Sequence, residues 1–390
     1  MAMDLTSKLR SIYDFDLALE PEHEKKENRV RTFLEIFKEF CLRKNQQFAD
    51  YFHDFYYTGS YYEGLRVKMA DEFDINLVFN IPAKESVLEI EELGESLPYM
   101  TVQLKPNSRK QKFKNLFFLE NGYLSSQGFL SWLQFLLCWF RDSLPSDTDA
   151  DNQQKSERDL QRKGSELFKE DISFTNSGPA RTIKLLYRAE LWISVDLVPV
   201  FRIQPKDFVF NRLVPFVKLP LDNYTGYLVP KVLSSTLFCV ENVKARYAFR
   251  IHLPEPEVQL IAENKWVRKL IKLAKALNEK QKWKLPSYFV KVAALSMVRD
   301  KRYQDMEEDH LGDAFMLFLD RFEEHLRRRH LGHLLFPNFN LFLGMSEERL
   351  EKLQMKVQAA TRRLSKDTRY VFEMFGLKYE DTLDNDGRTI

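Results

Sequence analysis

The sequence predicts an α+β protein with two lobes, a mixed-sheet lobe followed by a helical lobe. Strand patterns lie before about residue 255 and helical periodicity dominates after it, a segregation that is typical of this class. The chain of 390 residues exceeds one average domain, and its 32 phenylalanines favour large aromatic cores. We therefore expect a sheet lobe at 1–256, a helical lobe at 257–380 and a frayed tail at 381–390.

Hydrophobic spacing and turn residues place the elements in chain order. A long amphipathic helix with a basic side is expected at about 20–44, then a strand at 55–58, a Gly59-Ser60 turn and a short helix at 61–67. Strands are predicted at 72–79, 191–201 and 247–253, and helices at 258–280, 286–300, 307–330 and 346–364. Gly59-Ser60 thus lies between a strand and a helix.

Composition excludes several classes of protein. The 59 Lys and Arg nearly balance the 57 Asp and Glu, so any nucleic-acid surface must come from local segregation of charge. The three cysteines, Cys41, Cys138 and Cys239, are too scattered for a disulfide framework or a zinc cluster, which indicates a reducing compartment. The apolar run at 129–140 is too short to cross a bilayer, and the N-terminus lacks a signal pattern. We expect a cytoplasmic protein with no membrane partner.

Three acidic residues on two predicted strands are the main candidates for chemistry. Alternate strand residues share a face, so Glu72 and Asp74 should converge on one side while Phe73 points into the core. Asp196 lies within an apolar run, where a charge is costly unless it binds a metal or a partner. Such carboxylates suit hard divalent cations, which often bridge to a substrate phosphate.

A purely structural alternative remains for each acid. Glu72 and Asp74 could lie on the solvated face of an edge strand, and Asp196 could cap a turn before Pro199. The Gly59-Ser60 turn lies twelve residues ahead of Glu72 and favours a functional interpretation, because exposed amides at a helix start can bind phosphate.

These residues and later segments resemble one family. The run from Thr58 to Glu63, Glu72-Phe73-Asp74 and the run that ends at Asp196 are similar to the male-abnormal/cyclic GMP-AMP synthase family of nucleotidyltransferases, particularly the animal cGAS-like receptors. Further segments extend the resemblance over nearly the whole chain: residues 227–231, Arg250, residues 287–291 and residues 336–342. The first motifs alone would indicate only the polymerase-β-like superfamily.

The resemblance implies a bilobed polymerase-β-like nucleotidyltransferase that binds ATP and GTP between its lobes. Glu72, Asp74 and Asp196 would hold two Mg²⁺ or Mn²⁺ ions for phosphoryl transfer with release of pyrophosphate. The nucleotide contacts that the resemblance implies are Gly59, Ser60, Arg250, Lys272, Ser287 and Tyr288.

These supporting residues also have simpler interpretations. Lys272 could lie on a solvated helix face, Arg250 could pair with Glu257, and Tyr288 could belong to the core. Ser287 could simply start a helix.

The resemblance also bears on the activator. The vertebrate DNA sensor of the family has a zinc-binding thumb where this chain has residues 257–264 without cysteine, so no structural zinc is expected and double-stranded RNA is the expected activator.

The helix predicted at about 20–44 is the implied platform for RNA, through Lys25, Lys26, Arg29, Arg43 and Lys44. The segments 109–114, 280–284 and 327–329 are further basic candidates, although such runs are mostly solubility features. His325, His330 and His333 are expected on a helix surface.

The expected function is an innate immune sensor that joins ATP and GTP into cyclic GMP-AMP when it binds double-stranded RNA. A cyclic dinucleotide receptor would be an indirect partner, and an oligomer on RNA is a further expectation. Val198 and His252 stand where the vertebrate enzyme has hydroxyl residues, which leaves base and linkage preference open. Two alternatives remain, a linear 2′–5′ oligoadenylate-type synthase and a catalytically silent nucleic-acid-binding relative.

Overall fold

The structure, a computed structural model, describes eleven parts of the chain: residues 2–81, 88–93, 97–105, 119–146, 167–177, 180–188, 191–204, 224–231, 233, 242–298 and 306–378. The basic segment predicted at 109–114 and the tail predicted at 381–390 lie outside these ranges. Within them, no helix combines the length and the apolar character that a bilayer span requires.

One mixed sheet contains all the strands of the described ranges. Its strands are β1 (Phe52–Thr58), β2 (Glu72–Asn80), β3 (Leu88–Glu92), β4 (Tyr99–Leu104), β5 (Leu119–Glu120), β6 (Tyr123–Leu124), β7 (Ile172–Ser177), β8 (Ala180–Arg188), β9 (Leu191–Ile203), β10 (Gly226–Pro230) and β11 (Phe249–His252). The main path runs β1-β2-β9-β10-β11-β4-β6-β5, and β8 pairs with β9 outside this path. Among these strands the pairing is antiparallel except between β2 and β9, which are parallel.

Helices flank the sheet and form the second lobe. The α-helices are α1 (Ala2–Ser11), α2 (His23–Lys44), α3 (Gln46–Tyr51), α4 (Gly59–Tyr62), α5 (Ser126–Asp142), α6 (Asn242–Ala245), α7 (Pro254–Glu263), α8 (Lys265–Lys280), α9 (Ser287–Val298), α10 (Leu311–Arg327), α11 (Glu347–Lys366) and α12 (Tyr370–Met374). The α+β class with a C-terminal helical lobe is confirmed.

Two helix predictions differ from the structure in more than a few end residues. The helix predicted at 258–280 is two helices, because Asn264 has a non-helical backbone, with φ −123° and ψ 84°, and its side chain donates to the Leu260 carbonyl at 2.8 Å. The short helix predicted at 61–67 is the single turn α4, which ends before Gly64, a residue with φ +69°.

The N-terminal helix packs with the helical lobe although it precedes the sheet in sequence. Leu5 and Leu9 are buried in the same apolar cluster as α8 to α12, and the Thr6 hydroxyl accepts a hydrogen bond from the Gly312 amide at 2.9 Å. Chain order and spatial position therefore differ at the N-terminus, and the domain boundary after residue 256 stays a prediction.

The long helix α2 lies against the sheet lobe through an aromatic stripe. Phe33 and Phe37 are fully buried, and both rings contact Phe140 of α5, at centroid distances of 6.0 and 5.5 Å. The apolar positions recur at helical spacing, which is why the sequence predicts this helix within a few residues.

Two of the RNA contacts predicted on α2 face the protein interior, which corrects that part of the prediction. The Lys26 side chain is 1% exposed, and its ammonium lies 2.6 Å from Glu20. The Arg29 side chain is 13% exposed and lies 3.3 Å from Asp171. Both cations occupy the inner face of the helix, where burial requires a paired carboxylate. Lys25, Arg43 and Lys44 remain exposed.

Replacing Phe37 by Ala should destabilise the sheet lobe by about 3–5 kcal/mol, because a fully buried ring leaves a cavity between α2 and α5. Chemical unfolding of the two proteins measures the difference. The matched control is Phe135→Ala on α5, whose side chain is 52% exposed and whose loss should cost less than about 1 kcal/mol. Equal effects of the two substitutions would contradict this packing of α2.

Candidate active site

Three carboxylates meet on one face of the sheet because β2 and β9 pair in parallel. In that pairing Asp74 is the partner of Asp196, and Glu72 is the partner of Ser194. The carboxylates of Glu72, Asp74 and Asp196 each offer an oxygen within 4.8 Å of the others. The prediction that these three acids converge is confirmed. Because β2 lies between β1 and β9, the alternative of an edge strand is wrong.

A glycine closes over the cluster from the turn after β1. Gly59 has φ +77°, and a Cβ placed there would lie 1.9 Å from the Asp74 carboxylate. Both the backbone conformation and the close approach therefore require glycine at this position. The neighbouring Ser60 lines the same cavity.

Like charge and burial disfavour ionisation at the centre of the cluster. Burial, together with Glu72 and Asp196, raises the pKa of Asp74 to about 7. Burial also raises the pKa of Asp196, although its hydrogen bond from the Thr182 hydroxyl, at 2.5 Å, opposes the change. A divalent cation would relieve this repulsion, so the donor set of three carboxylates fits a hard metal ion.

Cations at the rim offset part of the acidic charge. Arg66 donates to Glu72 at 2.8 Å and also pairs with Asp71. Lys184 of β8 donates to the Ser194 hydroxyl at 2.5 Å, beside Asp196. These contacts orient the strand ends around the acids.

Two of the acids, Glu72 and Asp74, line a cavity of about 520 Å³ between the sheet and the helical lobe. Most residues predicted as nucleotide contacts line it: Gly59, Ser60, Arg250, Ser287 and Tyr288. Their roles stay predictions, since the geometry shows only that they share the cavity with Glu72 and Asp74.

Lys272 does not line this cavity, which corrects the prediction for that residue. Its side chain is buried, and its ammonium lies 4.9 Å from the centre of the Tyr13 ring. One turn later on α8, Lys275 lines the cavity and donates to the Leu65 carbonyl at 3.0 Å. Burial and Arg66 lower the pKa of Lys275 to about 8. Helical spacing alone could not choose between the two lysines.

A buried ion pair joins the two lobes at the back of the cavity. The Lys291 ammonium lies 2.7 Å from Glu63 of the sheet lobe and 2.8 Å from Glu257 of the helical lobe. Burial opposes its charge, yet Glu257 and Glu63 raise the pKa of Lys291. The sequence analysis did not single out this residue, although it follows Tyr288 by one helical turn and so shares its face.

Two further predictions, for His333 and for Arg250, differ from the structure at this cavity. His333 is 7% exposed and lines the cavity, so its predicted surface position is wrong. The Tyr288 hydroxyl donates to Glu257 at 3.0 Å and lies 3.2 Å from His333. Glu257 thus accepts from Tyr288 and also pairs with Lys291. Among the described residues Arg250 has no ion pair with Glu257. No pattern in the sequence indicated the position of His333, because it lies in an irregular segment after α10.

A carboxylate triad beside a cavity that basic residues line is an arrangement that can hold divalent cations for phosphoryl transfer. Residues 61–207 match the Mab-21 protein nucleotidyltransferase domain, and residues 265–359 match the Mab-21 protein HhH/H2TH-like domain. The chain belongs to the Mab-21 family, whose nucleotidyltransferase domain here contains all three acids.

Relatives with similar sequences are cyclic GMP-AMP synthase-like receptors. The receptor of Ctenocephalides felis is 26% identical over 78% of this chain and 71% of its own length. That of Tribolium castaneum is 27% identical over 76% of this chain and 72% of its own. Receptor 3 of Stylophora pistillata is 22% identical over 92% and 96% of the two chains.

Replacing Asp74 by Asn should stabilise the metal-free protein while removing its response to metal. The fold raises the pKa of Asp74 to about 7, whereas the unfolded chain has a value of about 4. Ionisation of Asp74 therefore destabilises the folded protein above pH 4, and this loss of stability grows up to about pH 7. At pH 8 we expect a gain of about 1–3 kcal/mol, smaller at pH 5. Thermal unfolding with and without millimolar Mn²⁺ measures both effects.

The matched control is Asp142→Asn, at an acid whose side chain is 53% exposed. It should leave both the pH profile and the Mn²⁺ response unchanged. An Asp74 variant that is less stable than the wild type at pH 8 would contradict the repulsion at the cluster.

Proposed function

We propose that this protein is a nucleic-acid-activated innate immune sensor that synthesises a cyclic dinucleotide, cyclic GMP-AMP, from ATP and GTP. Double-stranded RNA is the proposed activator, and the cytoplasm is the proposed location. The observation that carries the proposal is the carboxylate triad, two members of which, Glu72 and Asp74, line one cavity together with Arg250, Lys275 and Tyr288. The names of the similar receptors support the choice of product class.

The acids would hold the metal ions that the reaction needs. Glu72, Asp74 and Asp196 are the residues that would bind two Mg²⁺ or Mn²⁺ ions. When bound, such ions make a hydroxyl a better nucleophile and stabilise charge on the phosphates and the departing pyrophosphate. The raised pKa of Asp74 indicates that the site gains more from a cation than a set of solvated carboxylates would.

The other cavity residues can bind and orient the nucleotides. Lys275 is a cation without a carboxylate partner among the described residues, so its charge is available to a triphosphate. The Tyr288 hydroxyl is held by Glu257, which fixes the ring at the cavity wall where a base can stack on it. Arg250 presents guanidinium donors that suit the acceptor edge of a purine.

RNA would contact the exposed basic residues of α2. Lys25 has 69% of its side chain exposed and Arg43 has 74%, and these residues lie 18 positions apart, roughly 27 Å along the helix. Lys44 is exposed beside Arg43. Phosphate contacts from lysine and arginine read backbone shape and not sequence, as recognition of duplex RNA requires.

Purified protein incubated with ATP, GTP and Mg²⁺ or Mn²⁺ tests the proposal. Parallel reactions contain no ligand, duplex RNA or duplex DNA, and mass spectrometry identifies the products. Duplex RNA should give a cyclic dinucleotide, and Glu72→Gln/Asp74→Asn should reduce its formation by at least ~10³-fold while leaving RNA binding within about 2-fold.

Other outcomes would replace parts of the proposal. A ladder of linear 2′–5′ products would favour an oligoadenylate-type synthase, and stimulation by DNA alone would reverse the choice of activator. Unchanged activity in the double variant would contradict the assignment of the acids, and silence of the wild type under every condition would favour a non-catalytic nucleic-acid-binding protein.

Lys275→Ala and Lys272→Ala form a matched pair on α8. Loss of one charge-assisted phosphate contact should weaken ATP binding about 10–100-fold in Lys275→Ala. Lys272→Ala should change binding by less than about 3-fold, because that ammonium faces Tyr13. Isothermal titration with a non-reactive ATP analogue measures both, and the reverse order would place Lys272 in the site.

A further inference from the structure

Asn76 is a buried polar residue at the cavity whose side-chain nitrogen has no hydrogen bond among the described residues. It lies on β2 two residues after Asp74, on the same face of the sheet, and is 5% exposed. Its amide nitrogen is sealed from solvent and has no partner among the described residues, yet the residue lines the cavity. An unpaired buried amide costs about 1–3 kcal/mol, so a strand would hold an apolar residue here if packing alone mattered.

The surroundings of Asn76 form a floor suited to a flat ring. Val198 is its partner on β9, and Val229, on β10, is the partner of Arg250 on β11. Both valines line the cavity. Asn76 and Arg250 thus stand three strands apart, roughly 14 Å between backbones, with apolar side chains between them. A purine base can lie over the valines with one edge towards each polar residue.

The two polar residues differ in what they can recognise. Arg250 has donors alone, and among the described residues it has no ion pair, so it favours the O6 and N7 acceptors of guanine over the N6 donor of adenine. The carboxamide of Asn76 has an acceptor oxygen besides its donors, and of its two polar atoms only the nitrogen is sealed from solvent without a partner. The oxygen can accept from the 2-amino group at the opposite end of guanine.

We propose that Asn76 determines base specificity in this cavity by accepting a hydrogen bond from the 2-amino group of a guanine nucleotide whose other edge faces Arg250. The inference rests on the proposed function and adds a residue that selects guanine. It concerns binding and orientation of the base and leaves the chemistry at the three acids unchanged.

Inosine triphosphate is the probe that isolates this contact, because it keeps the O6 and N7 acceptors of GTP and lacks the 2-amino group. At saturating ATP and with duplex RNA, the kcat/KM ratio of GTP to ITP should be about 10 or more in the wild type. In Asn76→Leu the ratio should fall to within about 2-fold of unity, while KM for ATP changes by less than about 2-fold. Asn76→Val is the second variant if leucine does not fit.

The control removes an unpaired buried polar group elsewhere. Thr101 on β4 is fully buried with an unpaired hydroxyl and does not line the cavity. Thr101→Val should keep the GTP preference of the wild type. Both Asn76→Leu and Thr101→Val should melt at or above the wild-type temperature, because each replaces an unpaired polar group with an apolar one of similar size.

Binding of the α,β-methylene analogues of GTP, ITP and ATP separates failure of this inference from failure of the proposed function. If the wild type binds none of them, the proposed function itself is wrong. If it binds them and does not distinguish GTP from ITP, or if Asn76→Leu keeps the preference, the role of Asn76 is wrong while the proposed function stands. A loss of ATP affinity alone in Asn76→Leu would likewise overturn the guanine assignment.

Discussion

The candidate site depends on one pairing, the parallel alignment of β2 with β9. It sets Asp74 beside Asp196, and the opposite face of the same strands buries Phe73, Ile75, Val195 and Leu197 completely. A shift of one residue would move the acids into that core and the apolar side chains into the cavity, which burial of charge forbids. The hydrophobic face therefore fixes the register, and the register forces three carboxylates together. Packing thus supplies the free energy that holds like charges at a distance where a cation can bind them.

The helical lobe completes the site through charges of the opposite sign. Lys291 lies between Glu63 of the first lobe and Glu257 of the second, and both the ammonium and Glu257 are almost fully buried. Separation of the lobes would break the contact between Lys291 and Glu63, so this ion pair links the helical lobe to Glu63, the residue that directly follows α4. Gly59 and Ser60 belong to that same turn. The turn over the acids and the wall that carries Tyr288 are therefore linked by one side chain.

The sequence was sufficient for the elements with strong local patterns. Alternation around Glu72 and Asp74 gave the face of β2, and the aromatic spacing of α2 gave a helix that ends at Lys44, where the structure ends it. Interactions between distant segments were beyond reach. Lys26 and Arg29 look like surface cations in a basic helix, and only the fold brings Glu20 and Asp171 to them. Lys272 and Lys275 differ by one turn, and their roles depend on whether Tyr13 or the cavity faces that turn. Such contacts come from packing of elements and leave no periodic signal.

Costs that a stable core would avoid are concentrated around the cavity. Asp74 carries a charge that its neighbours disfavour, Gly59 adopts a left-handed backbone, and Asn76 leaves an amide unpaired. The apolar face of the same strands has none of these features, and its residues are fully buried. Packing on the buried face of the sheet stabilises the strands enough to tolerate these unfavourable features on the other face. Each feature therefore indicates a place where a ligand can bind. A cation would relieve the charge at Asp74, and a guanine base would donate to the oxygen of Asn76, so one nucleotide with its metal would contact both residues in a single binding event.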